Sequence, residues 1–470
     1  MANAKKNKKS DAKSVSTAIQ TTDFHSREER LGVGKLLREK TPRTSHAHWQ
    51  PSSNRDAIAI LEASNQDRLP ELVPIRYGRM LRSPFTFLRG SAGLMAYDLS
   101  SLPNTGLNVQ ACGDCHLLNF GLFATPERNL IFDINDFDET LPAPWEWDIK
   151  RLAVSFAVAV RDQRFSDDEA RTVASECTRS YREQLREYSK MNPLEVWYDR
   201  LDAETLIEMA PNEKIRKRRE QLFEKAQQRI GEKLALKMTA FVGGRHHLID
   251  QPPILFHVQG EEFEERVLEG LDSYRQSLSD DRRVLFSRYR LEDSAMKVVG
   301  IGSVGTRCFI GLFFSEENHP LLLQFKEACP SVLEAYAGKS CYDNHAQRVV
   351  IGQRLMQSSS DIFLGWARTT VGRDFFVRQL RDMKMSPPIE GADIEQCHLY
   401  AGICGQTLAR AHARSGDAAT ISGYLGKSDK FDQAIGDFAM AYADQTERDH
   451  AALVQAVSSG RINAIIEEDE

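Results

Sequence analysis

The stretch ACGDCHLLNF, residues 111–120, crowds two thiols, an imidazole, a carboxylate and a carboxamide into ten positions. Cys112, Cys115 and His116 spell C-x-x-C-H, the attachment pattern of a c-type haem. Asp114 and Asn119, five apart, imply other chemistry. A carboxylate can accept a proton, and a carboxamide oxygen suits a hard cation such as Mg²⁺, which takes oxygen ligands and keeps water. Asp133, Asp136 and Asp138 follow closely and extend the oxygen-donor set. One C-x-x-C-H among eight scattered cysteines is a poor argument for haem, and no second C-x-x-C completes a zinc site. No haem is expected; Cys112, Cys115 and His116 read as framework around Asp114 and Asn119.

Far downstream, MKVVGIGSVGTRCFIGLFF carries Gly300, Gly302 and Gly305 in a G-x-G-x-x-G pattern, with Ser303 between them. A dinucleotide fingerprint of this form must open a helix. Here the glycines are followed by β-rich residues, so they cap a hairpin, and a glycine hairpin covers nucleotide phosphates in kinases. The next apolar run, PLLLQFKEA, ends in Lys326, placed as the strand lysine that grips phosphate oxygens. Asp114-x4-Asn119 has the spacing of a kinase catalytic loop, and NDFDE (135–139) supplies the metal-binding aspartate as Asp136, with Asp133 the alternative. Arg307 either adds charge above the phosphates or is a solvated strand residue. A kinase lysine needs a carboxylate on the following helix; the run NHAQRVVIGQRLM offers none, Gln353 within it or Glu334 upstream could reach, and the lysine's partner stays unassigned.

These residues need elements to hold them. LNVQACGD reads as a short strand entering a tight turn at Gly113. FGLFA and NLIFDIN read as the arms of a hairpin with TPERN as its turn. EWDIKRLAVSFAVAVRD has helical spacing, with Trp147, Leu152, Ala153 and Phe156 on one side. Asp148, at the start of that helix, is placed to brace the loop. IFLGWARTTVGRDFFVRQL reads as two antiparallel strands, and DIEQCHLYAGICGQTLARAHARSGD as a long helix. The tandem His246-His247 has no acidic or thiol neighbour in sequence and takes no metal role.

The chain has 470 residues, a net charge of −6 and 41% hydrophobic residues, so nothing global marks a nucleic-acid partner. No apolar run approaches the ~20 residues of a membrane helix, and the basic start lacks a secretion signal's apolar region. A cytoplasmic protein with no membrane partner is expected. KIRKRR (214–219) reads as a solvated helix face, whereas Arg76, Arg79 and Arg89 either flank the core or contact substrate or phosphate.

The parts stand in an unusual order. A kinase chain runs glycine loop, lysine, helix, strands, long helix, catalytic loop, metal aspartate; this chain begins at the catalytic loop and ends at the long helix. The cyclic order is kept, which implies a circular permutation cut between the long helix and the catalytic loop. The stretches RLPELVPIRYGRMLRSPFTFLRG, GDCHLLNFG, FDINDFDETLPAPWEWDIKRLA, VVGIGSVGTRC, GQRLMQSSSDIFLGW and TERDHAAL resemble the bacterial family catalogued as domain of unknown function 2252. That family is similar in turn to the protein-kinase-like superfamily, especially aminoglycoside and choline phosphotransferases. Their H-G-D-x-H-x-x-N is echoed from Cys112 to Asn119, with Cys112 in place of the first histidine. The resemblance implies an α+β, protein-kinase-like two-lobe fold, circularly permuted, with an additional helical subdomain.

The expected organisation is a disordered basic tail (1–27), a segment with the catalytic loop and metal residues (28–164), and a helical acceptor region (165–290). A β-rich part with glycine loop and lysine (291–390) and closing helices (391–470) complete it. Eleven residues between Asp136 and Asp148 leave no room for a long activation segment. The expected activity is ATP- and Mg²⁺-dependent phosphoryl transfer to a small-molecule hydroxyl. Asp114 is the base, Asn119 and Asp136 the metal ligands, Lys326 with Gly300, Gly302, Ser303, Gly305 and Arg307 the nucleotide grip, and His116 and Asp148 the support. The alternatives are nucleotidyl (AMP) transfer and a nucleotide-binding pseudoenzyme scaffold.

Overall fold

The computed structural model describes residues 25–228, 231–258, 261–380, 383–387 and 389–467. The basic tail assigned to 1–27 lies outside them up to residue 24. The strands are β1 (Asn108–Ala111), β2 (Phe120–Ala124), β3 (Leu130–Ile134), β4 (Leu141–Pro144), β5 (Leu201–Asp202), β6 (Thr239–Val242) and β7 (Arg245–Leu248). They continue with β8 (Leu255–Phe256), β9 (Tyr289–Lys297), β10 (Cys308–Ser315), β11 (Pro320–Ala328), β12 (Gly365–Arg368) and β13 (Asp374–Gln379). With the helices between them they make an α+β fold.

Six strands form one antiparallel sheet in the order β12-β13-β11-β10-β9-β8. Alternation along β11 decides what each face meets. Leu321, Leu323 and Phe325 pack on Tyr274, Leu278 and Phe286 of the helices Glu261–Ser277 and Asp280–Phe286. The intervening Gln324 and Lys326 point the other way, beside Arg378 and Phe376 of β13, their register partners. β5 to β8 interrupt the region read as helical, and β8 extends the sheet. His247 does find an acid: its Nδ1 lies 3.6 Å from Asp293, which also meets His257 at 3.1 Å. β7, paired with β6 in a separate sheet, packs against β9 and so supplies this contact across 46 positions.

Elsewhere β1 pairs with β4, and the hairpin β2–β3 receives β5. The helix Trp145–Asp162 starts directly after β4 and packs with the helices Asp167–Tyr188, Ile394–Ser415 and Lys430–Ser458 in the main core. A one-sided apolar stripe was expected for it, yet nearly every position from Trp145 to Val160 is buried. Its polar residues have partners inside the protein: the Lys150 ammonium stands 4.6 Å over the Phe438 ring, and Asp148 and Arg151 reach the 112–119 loop. The far end of the helix Ile394–Ser415 abuts β1. Gln110 N–H donates to Ser415 Oγ at 3.1 Å, and a Cβ on Gly416 would stand 2.6 Å from Val109 Cγ1.

Three sets of bonds join the large sheet to this core. Leu122 and Met385 exchange backbone bonds of 2.7 and 3.0 Å. Arg348, on the helix His345–Met356, donates to the carbonyls of Thr140 (2.7 Å), Asp138 (2.9 Å) and Cys329 (2.9 Å). The loop between β9 and β10 is gripped from residues 68–79: Arg79 donates to Gly300 O at 2.6 Å, Arg68 to Val304 O, and Leu69 N–H to Gly305 O at 2.8 Å. Arg79 is itself held by Glu467 at 2.6 and 2.9 Å, while Ile465 N–H donates to Pro74 O at 2.9 Å. Among the described residues, no helix is long and apolar enough to cross a membrane.

Candidate active site

β1 delivers the chain into the loop 112–119, and the loop is shaped by what accepts its N–H groups. Gly113 has φ +84°, and a Cβ there would come within 2.4 Å of the Glu139 carbonyl, so both conformation and space demand glycine. Asp148, buried in the first turn of the helix Trp145–Asp162, accepts from Cys112 N–H at 2.6 Å, Gly113 N–H at 3.0 Å and His412 Nε2 at 3.2 Å. Arg151, three residues on and so on the same helix face, binds Asp114 Oδ1 through Nε at 2.7 Å and through its terminal nitrogen. It also donates to Leu88 O at 2.9 Å. Asp114 Oδ2 is left toward the glycine loop, 3.9 Å from where a Gly302 Cβ would stand.

Asn119 Nδ2 donates to Asp114 O at 2.6 Å, and Asn119 O accepts from Asn135 N–H at 2.7 Å. The loop is thereby stitched to the end of β3, where Asp136 and Asp138 follow. Lys326 Nζ binds Asp138 Oδ2 and stands 3.9 Å from Asp136 Oδ2. The lysine is buried, while Asp136 and Asp138 expose 34% and 26% of their side chains. Burial opposes the charged form of Asp136, but Lys326, Arg378 and Lys384 outweigh it and hold its carboxyl well below the usual range. Burial and then the Asp136 charge push Asp138 up against the pull of Lys326. The lysine, despite burial, is raised by the two carboxylates and stays charged. Burial lowers His116 to about 4, so its imidazole is neutral near pH 7.

One cavity of about 310 Å³ gathers Asp114, His116, Asn119, Asp136, Gly300, Gly302 and Ser303. Asp138 and Glu139 also line it, and Ser303 Oγ donates to Asp138 Oδ2 at 3.2 Å. Lys326 and Asp148 are not in its lining; Lys326 meets it through Asp138, and Asp148 through the Cys112 and Gly113 N–H groups. Gly305 faces Arg68, with a Cβ position 3.0 Å from that side chain. The Arg307 guanidinium is turned to Glu327 at 3.2 Å. Asp133 is fully buried away from the cavity, bound by Arg410 and by the Ser358 N–H at 2.9 Å and hydroxyl at 3.0 Å. The cysteines of the C-x-x-C-H are both buried in the core, and Cys112 Sγ donates to Asp136 O at 3.4 Å.

The lysine's carboxylate partner, left unassigned by the sequence, is Asp138. Gln353 bonds Gln357 at 2.8 Å, and Glu334 stands by His345 and Arg348, 3.8 and 4.0 Å away. Asp138 comes from the segment after β3 and not from the helix His345–Met356, which offers no carboxylate. Its signal was the D-x-D spacing inside NDFDE. Arg151 was missed as well, although its i+3 offset from Asp148 puts it on the loop-facing side.

Among the described residues, no group of three or more His, Cys, Asp or Glu is arranged to enclose a metal. Mg²⁺ does not require one, since it takes one or two carboxylates and completes its shell with water and substrate phosphates. The donor chemistry fits: Asn119 and Asp136 line one cavity with Asp138, whose buried Oδ1 has no hydrogen-bond partner.

A second cavity of about 270 Å³ lies between the Gln324–Arg378 face of the sheet, the β2–β3 turn and Gln379, Leu380 and Lys384. Lys297, Arg378 and Lys384 line it.

A family described as "Uncharacterized protein conserved in bacteria (DUF2252)" matches residues 68–456. No curated protein and no solved structure matches the chain.

Proposed function

This chain belongs to the DUF2252 family of bacterial proteins, and we propose that it is an ATP- and Mg²⁺-dependent phosphotransferase of kinase-like, circularly permuted fold, acting on a small-molecule hydroxyl. One observation carries the reading: Asp114, Asn119 and Asp136 meet the glycine loop at one cavity, with Lys326 against its carboxylates Asp136 and Asp138, although some two hundred residues separate the two sets in sequence. The permutation is supported by the abutment of Ser415 and Gly416 on Val109 and Gln110, the join that an uncut chain would make.

In this reading the acceptor hydroxyl oxygen bonds the γ-phosphorus as the bond from that phosphorus to the β,γ-bridging oxygen breaks. The hydroxyl proton passes to Asp114 Oδ2, and ADP leaves. Arg151 fixes the other carboxylate oxygen, so the base is oriented before substrate arrives. Lys326, buried and charged, offers its ammonium to phosphate oxygens; the glycine loop lets backbone approach them closely. Asn119, Asp136 and Asp138 would hold the Mg²⁺, which supplies charge neutralisation at the phosphates. Positioning and charge stabilisation carry such a reaction.

The basic lining of the second cavity favours one other reading, nucleotidyl transfer with the nucleotide reversed and its phosphates toward Lys297, Arg378 and Lys384. Incubation with Mg²⁺ and ATP labelled at the γ- or the α-phosphate separates the two, with Asp136→Ala as control. Transfer of γ label supports the phosphotransferase, and transfer of α label supports the nucleotidyl transferase. Nucleotide binding without transfer of either label leaves a scaffold and refutes both.

A further inference from the structure

The cavity has a second wall, built by residues 60–94, and its charge is unlike that of the catalytic wall. Arg68, Arg76 and Arg89 all line it. Arg76 is 2% exposed; its terminal nitrogens donate to Asn65 Oδ1 at 2.6 Å and Gly90 O at 2.7 Å, and its Nε has no partner. Arg68 donates to the carbonyls of Ser64 and Val304. Arg89 buries an Nε with no hydrogen-bond partner. Among the described residues, no carboxylate stands within salt-bridge distance of any of the three.

The acids of the same cavity are engaged elsewhere. Asp114 is held by Arg151, Asp138 by Lys326, and Glu327 by Arg307 and Arg373; Glu139 accepts from Val332 N–H, and Asp67 stands exposed at the rim. A guanidinium cannot shed its proton as a lysine can. A buried one without a counter-ion costs several kcal/mol. Burial and then the neighbouring Arg68 charge already draw Arg76 down to about 9.

We propose that Arg76 and Arg89 form an oxyanion subsite, so that the acceptor carries a phosphate or carboxylate group on this wall while its hydroxyl faces Asp114. The assignment of the hydroxyl rests on the phosphotransferase reading; the subsite itself rests on the arginines. A cavity of about 310 Å³ holds a compound of a few carbons bearing one such group. Neutral or cationic acceptors bring no anion to the two guanidinium groups, which then have only hydrogen bonds at Arg76 and the more distant Asp114 charge at Arg89, and they bind more weakly.

Calorimetric titration of the full chain, without nucleotide or Mg²⁺, tests this with inorganic phosphate, glycerol 3-phosphate, glycerate and glycerol. Glycerol 3-phosphate or glycerate should bind and glycerol should not; whichever binds tighter assigns the phosphate or the carboxylate. Arg89→Gln should weaken that binding about tenfold or more, the loss of a charge-assisted contact, with Arg288→Gln on the surface unchanged. Arg89→Lys keeps the charge and should recover part of it; Arg76→Gln is a second test if the variant folds. The subsite is overturned if no oxyanion binds at about 10 mM, or if folded Arg89→Gln binds like the parent. It is also overturned if Arg89→Gln weakens Mg·ATP as much as glycerol 3-phosphate, since the arginines would then serve the nucleotide. Oxyanion binding through Arg89 without γ-label transfer refutes the phosphotransferase and keeps the subsite. Transfer to a neutral acceptor, undiminished in Arg89→Gln, does the reverse.

Discussion

Replacing Asp148 by Asn changes almost no volume but removes the acceptor on which the 112–119 loop hangs. The carboxylate takes Cys112 N–H on one oxygen and Gly113 N–H on the other, with His412 beside the first. An amide has one acceptor oxygen, so its NH₂ must face a backbone N–H. One buried donor is left without a partner, at about 1–3 kcal/mol, and the surviving bonds go from charged to neutral acceptor at about 1 kcal/mol. The expected loss is about 3 kcal/mol. Urea unfolding followed by tryptophan fluorescence measures it, because Trp145 and Trp147 adjoin Asp148 in the buried helix. Asp272→Asn, whose carboxylate is 72% exposed, should stay within about 0.5 kcal/mol of the parent. In the proposed reaction, a loop freed from Asp148 misplaces Asp114, and the rate should fall about a hundredfold with Mg·ATP affinity retained. A folded Asp148→Asn variant within about 0.5 kcal/mol of the parent and with unchanged transfer would refute the bracing argument.

Further predictions concern the other anchors. Lys326→Met leaves Asp136 and Asp138 facing each other without their cation, so the Asp136 carboxyl should titrate higher than in the parent; carbon-13 NMR of labelled aspartate reads the shift. His116, lowered from 6.5 to about 4 by burial, refuses a proton that the unfolded chain accepts. Stability should therefore rise with pH between 4 and 6.5, and the loss from pH 7 to 5 should be about 2 kcal/mol greater in the parent than in His116→Gln, measured by denaturant unfolding at each pH. Gly113→Ala meets both φ +84° and the Glu139 carbonyl, whereas Gly300→Ala meets φ +65° in open space. The first should cost at least about 3 kcal/mol and the second about 1 kcal/mol, read as unfolding midpoints.

The local elements were readable because each carries its own pattern. FGLFA and NLIFDIN flank a turn and become β2 and β3; the long runs at 145–162 and 394–415 become helices. Kinase-like ordering led to Lys326 beside Asp136, and the two stand 3.9 Å apart. What the pattern could not carry was the choice among neighbouring acids. Asp133, Asp136 and Asp138 lie within six positions of one another, and only the side chains that fold against them tell them apart. Arg410 and Ser358 engage Asp133, and Lys326 engages Asp138. The arginine wall was harder still, since its meaning lies in nearby carboxylates that pair with other cations or accept from backbone rather than pair with it. Arg307, free to be read either way, is turned aside by Glu327 of the neighbouring strand.

The grip of residues 68–79 on the glycine loop has a consequence for traffic through the cavity. A glycine hairpin ordinarily swings by itself, yet here its backbone is bound at Gly300, Val304 and Gly305, and Arg79 links it onward to Glu467. Widening the mouth therefore means moving a layer made from both the early helices and the last described residues. A filled cavity should slow amide exchange at Leu69 and Ile465 together, though they are almost four hundred positions apart. A fusion partner attached after residue 467 would be tugging on the same latch.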